Sequence, residues 1–308
     1  MSKRIIFYYQ TFTSLEDVLY ENTPITHIHL SAIHFGLNSN KKQYIHLNDL
    51  SPYDTKFDNV WNDMEKAHKL GIKVIIMLGG AGCAYTKLFS NFNVYYNFLH
   101  ELIKNKPFIS GIDLDIEEPC SLNNIKFLIR HIVSDFGKDF IITTAPIQES
   151  LETDSPGMSG FIYKDLINSD EGKYIDYING QFFIDYTLQA YDDVIENGYD
   201  PEKIVMGMIG NENISDLSRI VNKYDDKFGG IFIWEYCLAH PSPIEWLKKI
   251  DTILNLQNFV KINSTDIENN ENIENNENIK NNENIKNNEN IENNEKKYNL
   301  PINLCSII

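Results

Sequence analysis

Residues 111–119, GIDLDIEEP, set Asp113, Asp115 and Glu117 at alternate positions with Ile112, Leu114 and Ile116 between them. Side chains alternate across a strand, so the three carboxyls share one face and the three aliphatic groups the other. If the apolar file packs against helices, the acidic file points into the sheet's interior. Burial energetics oppose that arrangement, because an unpaired buried carboxylate is strongly disfavoured. A burial rule broken three times in register marks a place of chemistry. Successive members of the file are about 6.5–7 Å apart at the backbone. Like charges this close do not all ionise at neutral pH, so at least one carboxyl keeps its proton. A carboxyl that keeps its proton is a general acid. Glu117 is last in the file and precedes Glu118 and Pro119, which makes it the candidate to meet a substrate.

Outward from this stretch, β-branched and aromatic runs alternate with helical patterns. Eight strand candidates stand out: Arg4–Tyr9, Ile25–Ile33, Lys73–Leu78, Gly111–Glu117, Phe140–Ala145, Tyr177–Ile184, Lys203–Met208 and Gly230–Trp234. Helix signals fill the gaps. TSLEDVLYE (13–21) starts with a capping box from Thr13 to Glu16, and FDNVWNDMEKAHKLG (57–71) has helical apolar spacing and stops at Gly71. Only the gap after the fifth strand is weak, with the short GFIYKDLIN (160–168) as its helix. Eight strands each followed by a helix predict an α/β protein, a closed (β/α)8 TIM barrel, since an open doubly wound sheet usually has five or six. Barrel sites lie at the carboxyl ends of the strands, where the acidic file ends.

From Ile267 the text becomes IENNEN, IENNEN, IKNNEN, IKNNEN, IENNEK. One isoleucine per six residues forms no helical stripe and cannot offset the entropy of ordering. The expected organisation is a (β/α)8 barrel domain over 1–258 and a disordered low-complexity tail over 259–308. The chain ends in Cys305-Ser306-Ile307-Ile308, which loosely fits the prenylation pattern, against the simpler expectation of an unmodified tail.

The formal net charge is −17. The stretch from Ser264 onward carries nine acidic and four basic residues, leaving −12 on the body. This argues against nucleic acid or an anionic membrane as partner, both being polyanions. Cys83, Cys120, Cys237 and Cys305 have no CxxC or CxxH spacing, so neither zinc nor a disulfide framework is expected. The apolar run Ile5–Tyr9 is too short for a signal-peptide core or a membrane span, and an intracellular monomer is the default expectation. No metal or cofactor is expected. MLGGAG (77–82) lacks the full phosphate-loop pattern and suits a tight turn, while Leu114 and Ile116 fail the EF-hand pattern. His27, His29 and His34 suit polar lumen or loop roles better than a metal site.

The motif ISGIDLDIE (109–117) resembles the signature of glycoside hydrolase family 18, the chitinases and endo-β-N-acetylglucosaminidases, with Ser110 in place of the first acid. FYYQ (7–10), KVIIMLGG (73–80), TTAP (143–146), KIVMGM (203–208) and GGIFIWE (229–235) follow the family's order along the chain. The resemblance implies a retaining hydrolase of β-1,4 N-acetylglucosaminide linkages, in chitin-like oligomers or N-glycan cores. Glu117 would protonate the glycosidic oxygen and Asp115 would orient the substrate's N-acetyl group. That carbonyl attacks the anomeric carbon, so the protein supplies no nucleophile. Asp113 would share a proton with Asp115, and Trp234 would floor the sugar. Gln181 in INGQFFIDY matches the family's strand six, but Phe183 stands where the family has tyrosine. That change removes a donor from the N-acetyl carbonyl, and Tyr186 and Tyr8 are the nearest substitutes. The alternative reading is an N-acetylglucosamine-binding, lectin-like barrel with little catalysis. A metal-dependent glycosyltransferase using Asp113 and Asp115 as ligands fits less well, because a buried file suits proton chemistry better.

Overall fold

The computed structural model describes residues 3–210 and 215–255. The expected tail at 259–308, with Cys305, lies outside these residues. Nine strands are formed among those described: β1 Arg4–Tyr9, β2 His27–Leu37, β3 Gln43–Leu47, β4 Lys73–Gly79, β5 Ile109–Asp115, β6 Ile141–Thr144, β7 Tyr177–Gly180, β8 Ile204–Met208 and β9 Gly230–Ile233. Eight of them run parallel around a closed ring, β1-β2-β4-β5-β6-β7-β8-β9, sealed by the β1–β9 pairing. The fold is the (β/α)8 barrel that the alternating pattern predicts. The acidic stretch forms β5, the fourth strand of the ring.

β3 departs from the prediction. It pairs antiparallel with the extended end of β2, His34 opposite His46 and Gly36 opposite Tyr44, so the second barrel strand continues into a hairpin. The expected helix at 13–21 is also absent. Phe12 takes φ 56°, the Tyr9 hydroxyl donates to the Thr13 carbonyl at 2.8 Å, and the amides of Gln10 and Thr11 donate to Glu235 at 3.0 and 3.1 Å. These anchors leave a single turn, in which Val18 and Leu19 donate to the Leu15 carbonyl. Tertiary contacts here override a favourable local cap.

Around the ring stand α1 Asp58–Lys69, α2 Ala84–Ser90, α3 Phe92–Asn105, α4 Leu122–Phe136, α5 Gln148–Glu152, α6 Tyr163–Ile167, α7 Leu188–Glu196 and α8 Ser215–Tyr224. Helical turns over 243–255 complete the set. The gap after β6 holds the two five-residue helices α5 and α6 in place of one long helix. Strand alternation divides the core in two. Ile5, Phe7 and Tyr9 face the helices with Ile112, Leu114 and Ile116, while Ile6 and Tyr8 face the lumen with Met77, Tyr177, Val205 and Phe232. Phe7 packs on Tyr236 and Trp246, ring centroids 5.3 and 5.1 Å apart, which seats the last helical turns on the first strand. Burial of such a ring stabilises the fold by about 1.5–3 kcal/mol.

Candidate active site

β5 ends at Asp115, two residues short of the expected end, so Glu117 stands just past the strand rather than on it. Register places the file among its neighbours: Asp113 lies opposite Met77 on β4 and Thr143 on β6. Asp113 is fully buried. It accepts hydrogen bonds from the Tyr8 hydroxyl at 2.7 Å, the Thr143 hydroxyl at 2.5 Å and the Asn179 amide at 3.2 Å. Its Oδ2 is also 3.4 Å from His29 Nδ1, within ion-pair range and long for a hydrogen bond. Burial presses the Asp113 pKa upward, but the contact with His29 and the hydrogen bonds from Thr143 and Tyr8 outweigh it, and the carboxyl titrates below the usual range.

Asp115 behaves in the opposite way. It is pushed well above the ordinary carboxylate range, first by burial and then by the charges of Glu117 and Asp113. The deeper member of the file therefore favours its ionised form, and the next holds its proton to higher pH than an ordinary carboxyl. The Tyr8 hydroxyl is raised well above the ordinary phenol range by burial, then by Asp113 and Asp115, and stays a neutral donor.

Above the pair opens a cleft of about 300 Å³, at the small end of ligand pockets. Of the seven residues that sequence reading singles out, six line it: Tyr8, Asp115, Glu117, Gln181, Phe183 and Trp234. Asp113 lies beneath. Gln181 Nε2 is 3.3 Å from Asp115 Oδ1 and 3.4 Å from Glu117 Oε1, and it donates to the Ala145 carbonyl at 2.9 Å. Trp234 follows the last residue of β9 and leans on Tyr8, ring centroids 5.3 Å apart. Phe183 stands three residues beyond the end of β7, since that strand stops at Gly180 and not at Ile184. Tyr186, the substitute hydroxyl considered from sequence, belongs to the outer core and does not line the cleft. Tyr8 does line it, with its hydroxyl committed to Asp113.

The glycines of MLGGAG form the tight turn that the sequence suggests. Gly79 has φ +106°, and a Cβ there would lie 2.1 Å from the Asp115 carbonyl oxygen, while the Gly80 amide donates to that oxygen at 2.9 Å. The turn thus fixes the end of β5. Glu118, next to the acid of the motif, serves the scaffold instead. It accepts from the amides of Tyr85 at 2.7 Å and Thr86 at 3.2 Å, capping the start of α2. Ser110, in place of the family's first acid, makes only a 3.4 Å contact with the Phe108 carbonyl.

Sequence reading missed three groups around the buried carboxylate, Thr143, Tyr177 and Asn179, and gave His29 a lumen role without its partner. Their signal was alternation, because each shares the lumen face of its strand while Ile28, Ile142 and Ile178 take the other. Among the described residues, no cluster of three or more His, Cys, Asp or Glu side chains is set to hold a metal, and no helix is long and apolar enough to cross a membrane.

No protein-family model matches the chain, and no curated protein matches it. Solved structures do. A fungal endo-β-N-acetylglucosaminidase from glycosyl hydrolase family 18 is 30% identical, covering 82% of this chain and 97% of that one with a TM-score of 0.71. Chitinase ChiC from Aspergillus fumigatus is 29% identical over 81% of this chain and 98% of its own, TM-score 0.70. A family 18 chitinase from Pseudoalteromonas aurantia, at 21% identity and TM-score 0.65, shares the fold. Barrel, acidic column and likeness together define a (β/α)8 glycoside hydrolase. More narrowly, the chain belongs to glycoside hydrolase family 18.

Proposed function

We propose that this protein hydrolyses β-1,4 linkages beside N-acetylglucosamine with retention of configuration, the substrate's own acetamido group acting as nucleophile. Glu117, at the open end of the column, gives its proton to the glycosidic oxygen as the bond from that oxygen to the anomeric carbon breaks. The acetamido carbonyl oxygen closes on the anomeric carbon to form an oxazolinium ion, oriented by Asp115. Water, deprotonated by the Glu117 carboxylate, then opens the ring and restores the acid. Asp113 shares the Asp115 proton, balancing charge as the acetamido group becomes positive. Trp234 and Phe183 supply apolar walls for the sugar.

The observation that carries this reading is the column itself: Asp113 buried under the Tyr8, Thr143 and Asn179 donors, with Asp115 and Glu117 next along it lining the cleft. A carboxylic acid beside a fixed carboxylate is what a proton-sharing pair requires. The likeness to an endo-β-N-acetylglucosaminidase and to a chitinase suggests two substrates, the N-glycan core and chitin-like oligomers. Labelled chitooligosaccharides and a high-mannose glycopeptide, assayed in parallel, separate them. The first product should carry a β-anomeric reducing end, and an α-anomer or no product from either substrate contradicts the proposal.

Phe183 favours a second reading, a barrel that binds N-acetylglucosamine chains and turns them over poorly. Calorimetric binding of chitotetraose without cleavage would support it.

A further inference from the structure

The polar column does not end at Asp113. His29 is fully buried on β2, with Nδ1 3.4 Å from Asp113 Oδ2 and Nε2 3.0 Å from the Tyr177 hydroxyl. Nδ1 has no hydrogen-bond partner of its own, so the Asp113 carboxylate is the charge it faces. Tyr177 in turn lies under the Arg4 guanidinium, 4.5 Å from its ring centroid, at the amino end of the barrel. The chain Asp113, His29, Tyr177 therefore runs from the reactive carboxyls down the lumen.

We infer that His29 is a positioning residue for the proposed reaction: it holds the carboxylate charge on Asp113 and so leaves the shared proton on Asp115, beside the substrate. This inference rests on the function proposed above and deepens it. Two neighbouring carboxyls that share one proton divide it between them unless something breaks the symmetry. Tyr8, Thr143 and Asn179 donate to Asp113, whereas Gln181 reaches Asp115 at 3.3 Å. His29 adds an imidazole nitrogen that faces the carboxylate at 3.4 Å. When the Tyr177 hydroxyl donates to Nε2, the ring's proton is placed on Nδ1, the nitrogen that faces Asp113.

The surroundings of the pair are few and specific. On the same strand His27 meets the edge of the Tyr177 ring, with centroids 5.2 Å apart. β1 contributes Tyr8 and Arg4, β5 contributes Asp115, β7 contributes Tyr177, and the charges of Asp176, Glu202 and Lys73 act on Tyr177, Arg4 and His27. The other strands present Met77, Thr143, Val205 and Phe232, which do not titrate. His29 thus connects Asp113 to Tyr177 at the amino end of the lumen. Were it only a filler of the lumen, its replacement would alter stability and leave the carboxyl's titration where it was.

The test uses the full chain with His29→Asn and Tyr177→Phe. Aspartate carboxyl carbons labelled with 13C report the Asp113 titration by NMR, with D113N assigning the resonance, and the pH dependence of kcat/KM on a chitooligosaccharide is measured beside it. In H29N the Asp113 midpoint and the acidic limb of the rate profile should rise by about one pH unit or more, with KM little changed. Y177F keeps the imidazole and should give a smaller shift in the same direction. An unmoved midpoint in folded H29N overturns the inference. If H29N does not fold, an unmoved midpoint in Y177F overturns it. Should the wild-type chain hydrolyse nothing, the proposed function fails, and the NMR titration still decides the role of His29.

Discussion

Phe183 meets Phe232 edge to face, ring centroids 6.1 Å apart, on the wall of the cleft that holds Glu117. Phe183 lines the cleft at the position where the family resemblance expects a tyrosine hydroxyl. Phe183→Tyr should therefore raise kcat toward chitooligosaccharides, by up to the roughly 10²–10³ typical of one donor at a developing charge. Unchanged kinetics would show that this position does not approach the acetamido carbonyl.

The buried acid Asp115 also has a thermodynamic signature. Its pKa in the folded chain lies well above 3.8. At pH below 3.8 both folded and unfolded chains hold the proton, and Asp115 costs nothing. As pH rises the unfolded chain ionises first, so folding loses stability until the folded-state pKa is passed. Asp115→Asn should then raise Tm relative to wild type at about pH 7, with the gain shrinking toward about pH 4. Calorimetry across that range checks it, and a gain independent of pH would contradict the assignment.

The same column sets the rate profile. Glu117 must carry a proton to act, and alkaline pH strips protons from a file whose members repel. kcat/KM measured from about pH 4 to 9 should peak on the mildly acidic side and fall above it. A steady rise through the alkaline range would be incompatible with a carboxylic acid as proton donor.

Gly207 supports the cleft from below. A Cβ at this position would lie 1.9 Å from Phe232 Cζ, a ring that packs on Tyr8 at 5.0 Å and on Phe183. Gly207→Ala should force that ring aside, lowering stability by about 1–3 kcal/mol and reducing turnover through Tyr8. Paired unfolding and kinetic measurements test it, and normal values for both would mean that the lumen is looser than the packing implies.

Much of the barrel was legible because strand and helix periods differ, and all eight ring strands come within a few residues of their apolar runs. The acidic file was legible for the same reason, since alternation alone sends Asp113 and Asp115 inward. What escaped depends on partners distant in sequence. The turn at 13–21 is set by Glu235, and α2 has no cap of its own because Glu118 supplies one from the far side of β5. β3 carries an alternating QYIHL that could have been read as a strand, but a polar connection hid its pairing with β2. His29 reads from sequence as a lumen residue without a partner, because no local pattern can say that β2 faces Asp113 across the barrel.

The central claim is that Glu117 is the proton donor, and Glu117→Gln tests it most directly by removing the acid while keeping shape and the reach of Gln181. Cleavage of chitotetraose or a high-mannose glycopeptide, whichever the wild type turns over, should fall by about 10²–10⁴ in kcat with binding retained. Turnover by folded E117Q at the wild-type rate would contradict the account.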